Sequence, residues 1–469
     1  MTIVVLLAAL LQTTPVVPAE LLTRVEAIRQ AGGRVGGQLW PGWSPTATPF
    51  AVYQRGQYIA VVGREKMAVP FVAYPAAISE QVFIAPTLAF PGLQLANTTA
   101  ELGGVQVSLV SAEDLMSRGN IEEATALGIH EMFHAYQRKI APNKQGNILM
   151  MLWGEYPEFS ARNRVLLQME AEALRDAISA ADPAQQLRLT AEFLGTRAER
   201  RKDLSPELTR YESGEESSEG LASYIEYKLI EMAFPGHNDL LAKRLEPLSH
   251  VYNLPSDRDR FYVLGMAEAI LLDKVRPGWK REYEASPLML DGLLGKVAAP
   301  TLPTRPWGAL LGDQQREMAK REAAGTERIG LMLSRGRKVV IEVAKAKNKI
   351  KLRGINPNMV VQLTPNHTAF TFLQLDLDDM KLDFQGVPII YEKLQDAFWC
   401  MLPEDLVDKA LKDMGDKLKI EGRGFKLEFQ DVEVSQRGKE LRIHPAVAYE
   451  KKAPYKPEFV KPIKPNLLQ

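Results

Sequence analysis

The chain has 469 residues, of which 46% are hydrophobic, so it is long enough for two or three domains with packed cores. It contains 58 Lys and Arg residues and 58 Asp and Glu residues, and this balance gives no support to binding of nucleic acid or of an anionic membrane. The single cysteine, Cys400, excludes an internal disulfide framework and a zinc site built from cysteines.

Residues 1–19 have the pattern of a cleaved signal peptide. Residues 3–11 form an apolar run that is too short to span a bilayer, and Val17-Pro18-Ala19 provides the small residues that a signal peptidase needs. No Lys or Arg precedes this run, so a buried N-terminal strand or helix is the alternative. We expect an exported protein, periplasmic or extracellular, and otherwise a cytoplasmic one. No other stretch predicts a membrane span.

The next segment predicts one helix and a small β-sheet. The helix is expected to end at Gly32-Gly33, and Arg55-Gly56 between two apolar stretches indicates the turn of a β-hairpin. The predicted helix covers residues 21–30, and the predicted strands cover residues 49–53, 57–62, 82–86 and 105–111.

The stretch 127–136, Leu-Gly-Ile-His-Glu-Met-Phe-His-Ala-Tyr, carries the most specific signal of the chain. On a helix, His130 and His134 lie one turn apart on the same face and can bind one metal ion. Glu131 points to the side of that face, where its carboxylate can deprotonate a water that Zn²⁺ activates. This is the HExxH pattern of zinc metalloproteases. The alternative is a packed helix whose two histidines are satisfied by backbone carbonyls.

The ends of this helix are also indicated by the sequence. Asn120 and Glu123 predict an N-terminal capping box, and Pro142 predicts an end after Ile140. In zinc proteases, a strand directly before such a helix often forms the rim of the cleft, where a substrate adds as an extra strand. Residues 105–111 have either this role or that of an ordinary sheet strand.

The chain from residue 158 to residue 297 has an almost wholly helical pattern, with apolar residues at intervals of three and four, as in a helical bundle. The predicted helices cover residues 158–180, 183–201, 206–232, 239–248, 257–274 and 280–297.

A catalytic zinc site of this type needs a third protein ligand, and Glu219 is the strongest candidate. It begins the stretch Glu-Gly-Leu-Ala-Ser-Tyr-Ile-Glu. An HExxH helix followed by an E-G-x-A-x-Y-x-E helix resembles the gluzincin class of metallopeptidases, which includes the large aminopeptidase families. The resemblance implies one Zn²⁺ on His130, His134 and Glu219, with Glu131 as the general base.

Small residues at Gly220 and Ala222 are expected to let the glutamate helix lie close to the HExxH helix. The spacing departs from the class, because 84 residues lie between His134 and Glu219, whereas gluzincins place the glutamate much nearer. An inserted helical pair at residues 158–201 would account for the difference. The resemblance covers the two motif helices, extends loosely over residues 105–275, and does not include the C-terminal part.

Four other glutamates are alternatives for the third ligand. Glu155 and Glu158 lie at a more usual distance from the histidines, but a proline between them disturbs the helix that should present them. Glu170 and Glu172 lie in a good helix, although nearby arginines favour ordinary surface ion pairs.

Hydrolysis of a peptide bond also needs a donor for the oxyanion, usually from a later helix. Tyr262, near the start of the predicted helix 257–274, is the candidate. The alternative is a tyrosine packed in the core with its hydroxyl group satisfied.

The pattern changes after three prolines, Pro300, Pro303 and Pro306. A linker at residues 301–325 contains a predicted helix at 313–324, and residues 326–450 alternate with period two, which predicts a β-rich domain, a sandwich or small barrel. The predicted strands cover residues 338–343, 349–352, 360–363, 369–375, 417–420, 426–429 and 440–444. The Pro- and Lys-rich tail at 451–469 is expected to be extended.

The sequence therefore predicts an α+β protein. A mainly helical, zincin-like domain at residues 20–300, with a small N-terminal β-sheet, is followed by the β-rich domain. The predicted function is that of a zinc-dependent hydrolase, a peptidase that acts on a peptide or protein substrate as an endo- or exopeptidase. The alternative is a non-catalytic zincin-like protein whose β domain binds a partner or a surface.

Overall fold

The structure, a computed structural model, describes residues 15–90, 93, 96–147, 149–254, 258–302, 306–343, 350–377, 380–430 and 432–445. Most of the predicted signal segment, residues 1–14, and the predicted tail at 451–469 lie outside these residues. Within them, no helix has both the length and the apolar character that a membrane crossing requires. The chain divides into two compact units, the first from residues 1–148 and 160–315 and the second from residues 149–159 and 316–469.

The protein has an α+β fold, with a small N-terminal sheet among helices and a β-rich C-terminal part. The described helices are α1 (Ala19–Leu39), α2 (Ala112–Ser117), α3 (Ile121–Ile140), α4 (Leu149–Leu152), α5 (Ala161–Ser179), α6 (Pro183–Arg201), α7 (Pro206–Glu215), α8 (Leu221–Ala233), α9 (Asn238–Leu245), α10 (Asp259–Val275), α11 (Trp279–Ala285), α12 (Leu290–Leu294), α13 (Gly308–Leu333) and α14 (Glu404–Lys412). The described strands are β1 (Phe50–Gln54), β2 (Tyr58–Val62), β3 (Val72–Tyr74), β4 (Val82–Pro86), β5 (Thr98–Leu102), β6 (Val105–Ser111), β7 (Arg337–Glu342), β8 (Ile350–Ile355), β9 (Val360–Thr364), β10 (His367–Leu377), β11 (Met380–Glu392), β12 (Ala397–Leu402), β13 (Lys417–Gly422), β14 (Phe425–Gln430), β15 (Val432–Arg437) and β16 (Glu440–Pro445).

The N-terminal sheet has the strand order β3-β4-β2-β1-β6-β5. β1 and β2 form the predicted antiparallel hairpin, and Gly56 takes the positive φ of 75° that its turn requires. β6 forms as predicted and lies between β1 and β5, so of the two roles that the sequence left open it has that of an ordinary sheet strand and not that of the rim. Among the described strands, β5 has this position instead, at the edge of the sheet beside α3.

Helix α1 continues through Gly32-Gly33, where the sequence predicted its end. A Cβ atom at Gly32 would lie 3.0 Å from Ile129 Cδ1 and 3.0 Å from Pro45 Cβ. Glycine at this position therefore allows α1 to pack closely against α3 and does not end the helix.

Two helices predicted as continuous are interrupted. The predicted helix 206–232 is divided into α7 and α8 by a π-helical segment, Glu216–Gly220. The predicted helix 280–297 is divided into α11 and α12, because Pro287 cannot donate a helical hydrogen bond.

Among its described residues, the second unit contains one hydrogen-bonded sheet of ten strands, where a sandwich or small barrel was predicted. The long strand β11 pairs with β14 through its first half and with β12 through its second half. β10 pairs with β11 along most of its length and with β8 and β9 on its other side, so the ten strands belong to one network.

Residues 149–159 belong to the second unit, although the sequence assigned them to the first domain. The Trp153 ring packs against the Tyr391 ring with a centroid distance of 5.1 Å, and Gln362 Nε2 donates to the Gly154 carbonyl at 3.2 Å. These contacts are long-range in sequence and are not visible as a periodic pattern.

Candidate metal centre

The helix α3 presents the two histidines of the HExxH motif on one face. Asn120 Oδ1 accepts a hydrogen bond from the Glu123 backbone N–H at 2.8 Å, which confirms the predicted N-cap. The Nε2 atoms of His130 and His134 lie 3.0 Å apart, and the side chains are only 6% and 12% exposed. The two imidazoles therefore point toward one position.

Glu219 reaches the same position from the π-helical segment. Its Oε2 atom lies 3.5 Å from His130 Nε2 and 3.3 Å from His134 Nε2. The ligand atoms of these three side chains all lie within 4.8 Å of one another, and they form the only such His/Cys/Asp/Glu group among the described residues. The structure thus brings together the three residues that the sequence nominated as metal ligands.

The π-helical segment decides where Glu219 points, because a π turn contains one more residue than an α turn. A Cβ atom at Gly220 would lie 2.5 Å from Gly265 Cα, and one at Gly265 would lie 2.3 Å from the Glu216 carbonyl oxygen. Gly220 was expected to allow close packing against the HExxH helix, but its nearest contacts are with α10. These two glycines fix the distance between the π-helical segment and α10.

We expect Gly265→Ala to lower the free energy of unfolding of the metal-free protein by about 1–3 kcal/mol, because the new methyl group would overlap a backbone carbonyl. Urea unfolding followed by circular dichroism measures this difference. Gly119→Ala is the matched control, since its Cβ atom would meet nothing within 4 Å. Equal unfolding free energies for the two variants would contradict the proposed close packing.

A hydrogen bond on the outer nitrogen of each histidine fixes the tautomer. His130 Nδ1 donates to Glu226 Oε1 at 2.6 Å. Gln137 Nε2 donates to two backbone carbonyls, so its Oε1 must accept, and His134 Nδ1 donates to it at 2.8 Å. In its neutral form, each imidazole therefore presents an unprotonated Nε2, which is the atom that binds a metal.

Glu226 is held in its ionised form. Burial acts to raise its pKa, but the charges of Arg244 and His130 hold the pKa of Glu226 at about 2. The carboxylate accepts from Arg244 Nη1 at 2.6 Å through its other oxygen. A charged acceptor orients the His130 ring and increases the basicity of its inner nitrogen.

Arg258 determines which oxygen of Glu219 faces the histidines. Its Nη2 donates to Glu219 Oε1 at 2.8 Å, and its Nε donates to Glu215 Oε2 at 2.5 Å. Burial acts to raise the pKa of Glu219, but Arg258 and the histidines hold it well below its usual value. Glu219 is therefore ionised, and its Oε2 is directed toward the two Nε2 atoms.

Tyr262, the predicted oxyanion donor, lies at this site. Its ring stacks on the His130 ring with a centroid distance of 6.3 Å and an interplanar angle of 17°. Its hydroxyl oxygen accepts from Arg258 Nη1 at 2.7 Å. Burial and the charge of Glu219 raise the pKa of Tyr262 well above its usual value, so the hydroxyl group keeps its proton.

Glu131 is buried, 6% exposed, and its Oε2 atom has no hydrogen-bond partner among the described residues. Burial raises its pKa, although the two histidines act in the opposite direction. A buried carboxylate oxygen of this kind normally binds a water or a cation.

The charges around the histidines also favour a cation. Burial disfavours the charged form of His130, but the hydrogen bonds that its ring donates to Glu219 and Glu226 raise its pKa to about 10. Together with Glu131, three carboxylates surround two imidazoles. The residues present therefore fit a divalent ion with nitrogen and oxygen ligands.

The other glutamates considered as third ligand are placed elsewhere. Glu170 is fully buried, not on the surface as expected, and accepts from Arg197 Nε at 3.0 Å and from Arg200 Nε at 2.5 Å. Glu172 accepts from Gln168 Nε2 at 3.2 Å. Glu155 and Glu158 belong to the second unit.

Arg197 also connects this buried charge cluster to the π-helical segment. Its Nη2 donates to Glu216 Oε1 at 2.7 Å, and its Nη1 donates to Glu268 Oε1 at 2.7 Å on α10. At Glu216, three residues before Glu219, buried ionic contacts through Arg197 therefore hold the chain against α6 and α10.

Sequence reasoning gave no supporting role to Gln137 or Arg258, and it included Glu226 only as the last residue of the glutamate motif. Two of them leave a local signal: Glu226 is seven residues after Glu219, about two helical turns, and Gln137 is three residues after His134. Arg258 lies far from both motifs in sequence and has no such signal.

Comparisons of the chain with protein-family models, with curated proteins and with solved structures gave no match.

Proposed function

We propose that the protein is a zinc-dependent hydrolase that cleaves peptide bonds, with the ligand arrangement of a gluzincin. The observation that carries this proposal is the convergence of His130, His134 and Glu219 beside the unpartnered, buried carboxylate oxygen of Glu131. Two imidazoles and one carboxylate are the ligand set of several catalytic zinc sites, which keep one further position for water or substrate.

In this proposal His130 and His134 hold the ion through their Nε2 atoms and Glu219 holds it through Oε2. A bound Zn²⁺ supplies Lewis acidity, which lowers the pKa of water and polarises a carbonyl group. The supporting contacts of Glu226, Gln137 and Arg258 keep the three ligands in their orientation before the ion binds.

Glu131 is proposed as the general base. Its Oε2 atom would take the proton from the attacking water and pass it to the nitrogen of the leaving amine. Because Oε2 has no partner among the described residues, it can accept that proton without first breaking a hydrogen bond.

Tyr262 is proposed to stabilise the oxyanion through its protonated hydroxyl group. The edge strand β5 lies beside α3 and pairs with a single described strand, β6. An extended peptide can add to its free edge through main-chain hydrogen bonds. Export of the protein, suggested by residues 1–19, is part of the same proposal.

Metal analysis tests this function directly. We expect purified protein to contain one zinc per chain, to hydrolyse peptides from a mixed peptide library, and to lose this activity after treatment with 1,10-phenanthroline. Added Zn²⁺ should restore hydrolysis, because the ligands are preorganised by their hydrogen bonds. Protein that remains inactive after zinc loading would favour the non-catalytic alternative.

A further inference from the structure

Arg138 lies on the same side of α3 as Glu131, two turns further along the helix. Arg138 is seven positions after Glu131, which corresponds to a rise of about 10 Å along the helix. Helical side chains lean toward the N-terminus of the helix, so the Arg138 side chain extends back toward Glu131. The charges of both Glu131 and Glu219 act on its guanidinium group.

Arg138 differs from the other arginines of the site in its ion pairs. Arg244 pairs with Glu226, which supports His130, and Arg258 pairs with Glu219, the third proposed ligand. Arg138 is exposed and forms no ion pair with any residue that the structure describes. Its hydrogen bond to Thr98 Oγ1 has a length of 3.5 Å, at the upper limit for such a contact.

Arg138 also contacts the edge strand β5. Thr98 is the first residue of β5, so the Arg138 guanidinium lies at the start of this strand and within the field of the Glu131 carboxylate. A peptide that extends along β5 with its scissile bond near Glu131 would bring its neighbouring groups within reach of the guanidinium.

We propose that Arg138 binds a carboxylate of the substrate close to the scissile bond, so that the preferred substrates are peptides with an anionic group there. This inference rests on the proposed peptidase function. A guanidinium group matches a carboxylate with two parallel N–H donors, and such charged hydrogen bonds are among the strongest that proteins form. The carboxylate is either the C-terminus of the peptide or an Asp or Glu side chain.

Peptide binding to the zinc-loaded Glu131→Gln protein tests the inference without consuming the ligand. The probes are Ala-Phe-Ala with a free C-terminus, its C-terminal amide, and the amide of Ala-Phe-Glu, so that the two sources of the carboxylate are separated. We expect at least one carboxylate peptide to bind about 10- to 100-fold more tightly than the neutral amide. Adding Arg138→Gln should remove this difference, and Arg138→Lys should retain part of it.

Two results would overturn the inference: equal affinities for all three peptides, or a uniform loss of affinity for all three in the Arg138→Gln variant. Kinetics of the otherwise wild-type enzyme separate this question from the proposed function. If peptide hydrolysis does not depend on Arg138, the proposed peptidase function stands and the proposed role of Arg138 is wrong. If carboxylate peptides bind through Arg138 but no peptide is hydrolysed, the proposed peptidase function is wrong and the anion site at Arg138 stands.

Discussion

Replacing Glu131 by glutamine should lower kcat for peptide hydrolysis by about 10²- to 10⁴-fold, because the amide cannot take a proton from the attacking water. The bound zinc should stay in place, since Glu131 is not among the three converging ligand atoms. The measurement combines steady-state kinetics on one peptide with the zinc content of the same protein sample.

Glu122→Gln is the matched control on the same helix. Glu122 lies in the first turn of α3 and its carboxylate is 3.8 Å from His237 Nε2, away from the ligand group. It should leave both kcat and zinc content unchanged. If the Glu131→Gln variant hydrolyses peptides at the wild-type rate, Glu131 is not the base and the mechanism must use another group.

The parts of the site that follow local periodicity could be predicted from the sequence. His130 and His134 are one turn apart on any helix, and the Asn120 cap required only the residues next to it. The assignment of Glu219 used a family resemblance, because no local rule relates it to a helix that ends 79 residues earlier.

The approach of α8 and its π-helical segment to α10 could not be predicted in this way. It depends on Gly220 and Gly265, which belong to different helices and allow their backbones to come together. A single sequence contains no pattern that pairs these two residues. The predicted role of Gly220 was therefore assigned to the wrong neighbouring helix.

Buried charged residues are a second reason why predictions from the sequence were wrong. Glu170 lies in a helix that also carries arginines, as is common on a solvated face, yet it is fully buried against Arg197 and Arg200. Burial of an ion pair requires several partners that surround it, and these come from other helices. Spacing within one helix cannot distinguish the two cases.

In the second unit, strand β11 was missed for a comparable reason. It contains Gly386, with a positive φ of 92°, and Pro388, and both residues normally argue against a strand. The strand persists because its two halves pair with different partners on either side of this irregular region. Pairing with strands distant in sequence outweighs the local preference.

Replacing Glu219 by glutamine should reduce zinc affinity by more than about 100-fold, which exceeds the usual effect of changing a residue that only supports a ligand. Glu219 uses both oxygens: Oε1 accepts from Arg258 Nη2 at 2.8 Å, and Oε2 faces the histidines. Glutamine has one oxygen. If its oxygen accepts from Arg258, its NH₂ group points at the metal position. If the amide is rotated by 180°, its oxygen faces the metal position, but its NH₂ group then faces the guanidinium group, and both are donors.

Glu226→Gln is the appropriate comparison, because Glu226 contacts the outer nitrogen of His130 and not the metal position. Its zinc affinity should fall by about 10- to 100-fold. Competition with a chromogenic chelator measures both affinities, and urea unfolding of the metal-free proteins shows whether each variant is folded. If Glu219→Gln retains zinc better than Glu226→Gln, then Glu219 is not a ligand, and the ion would be held by the histidines with another acidic group.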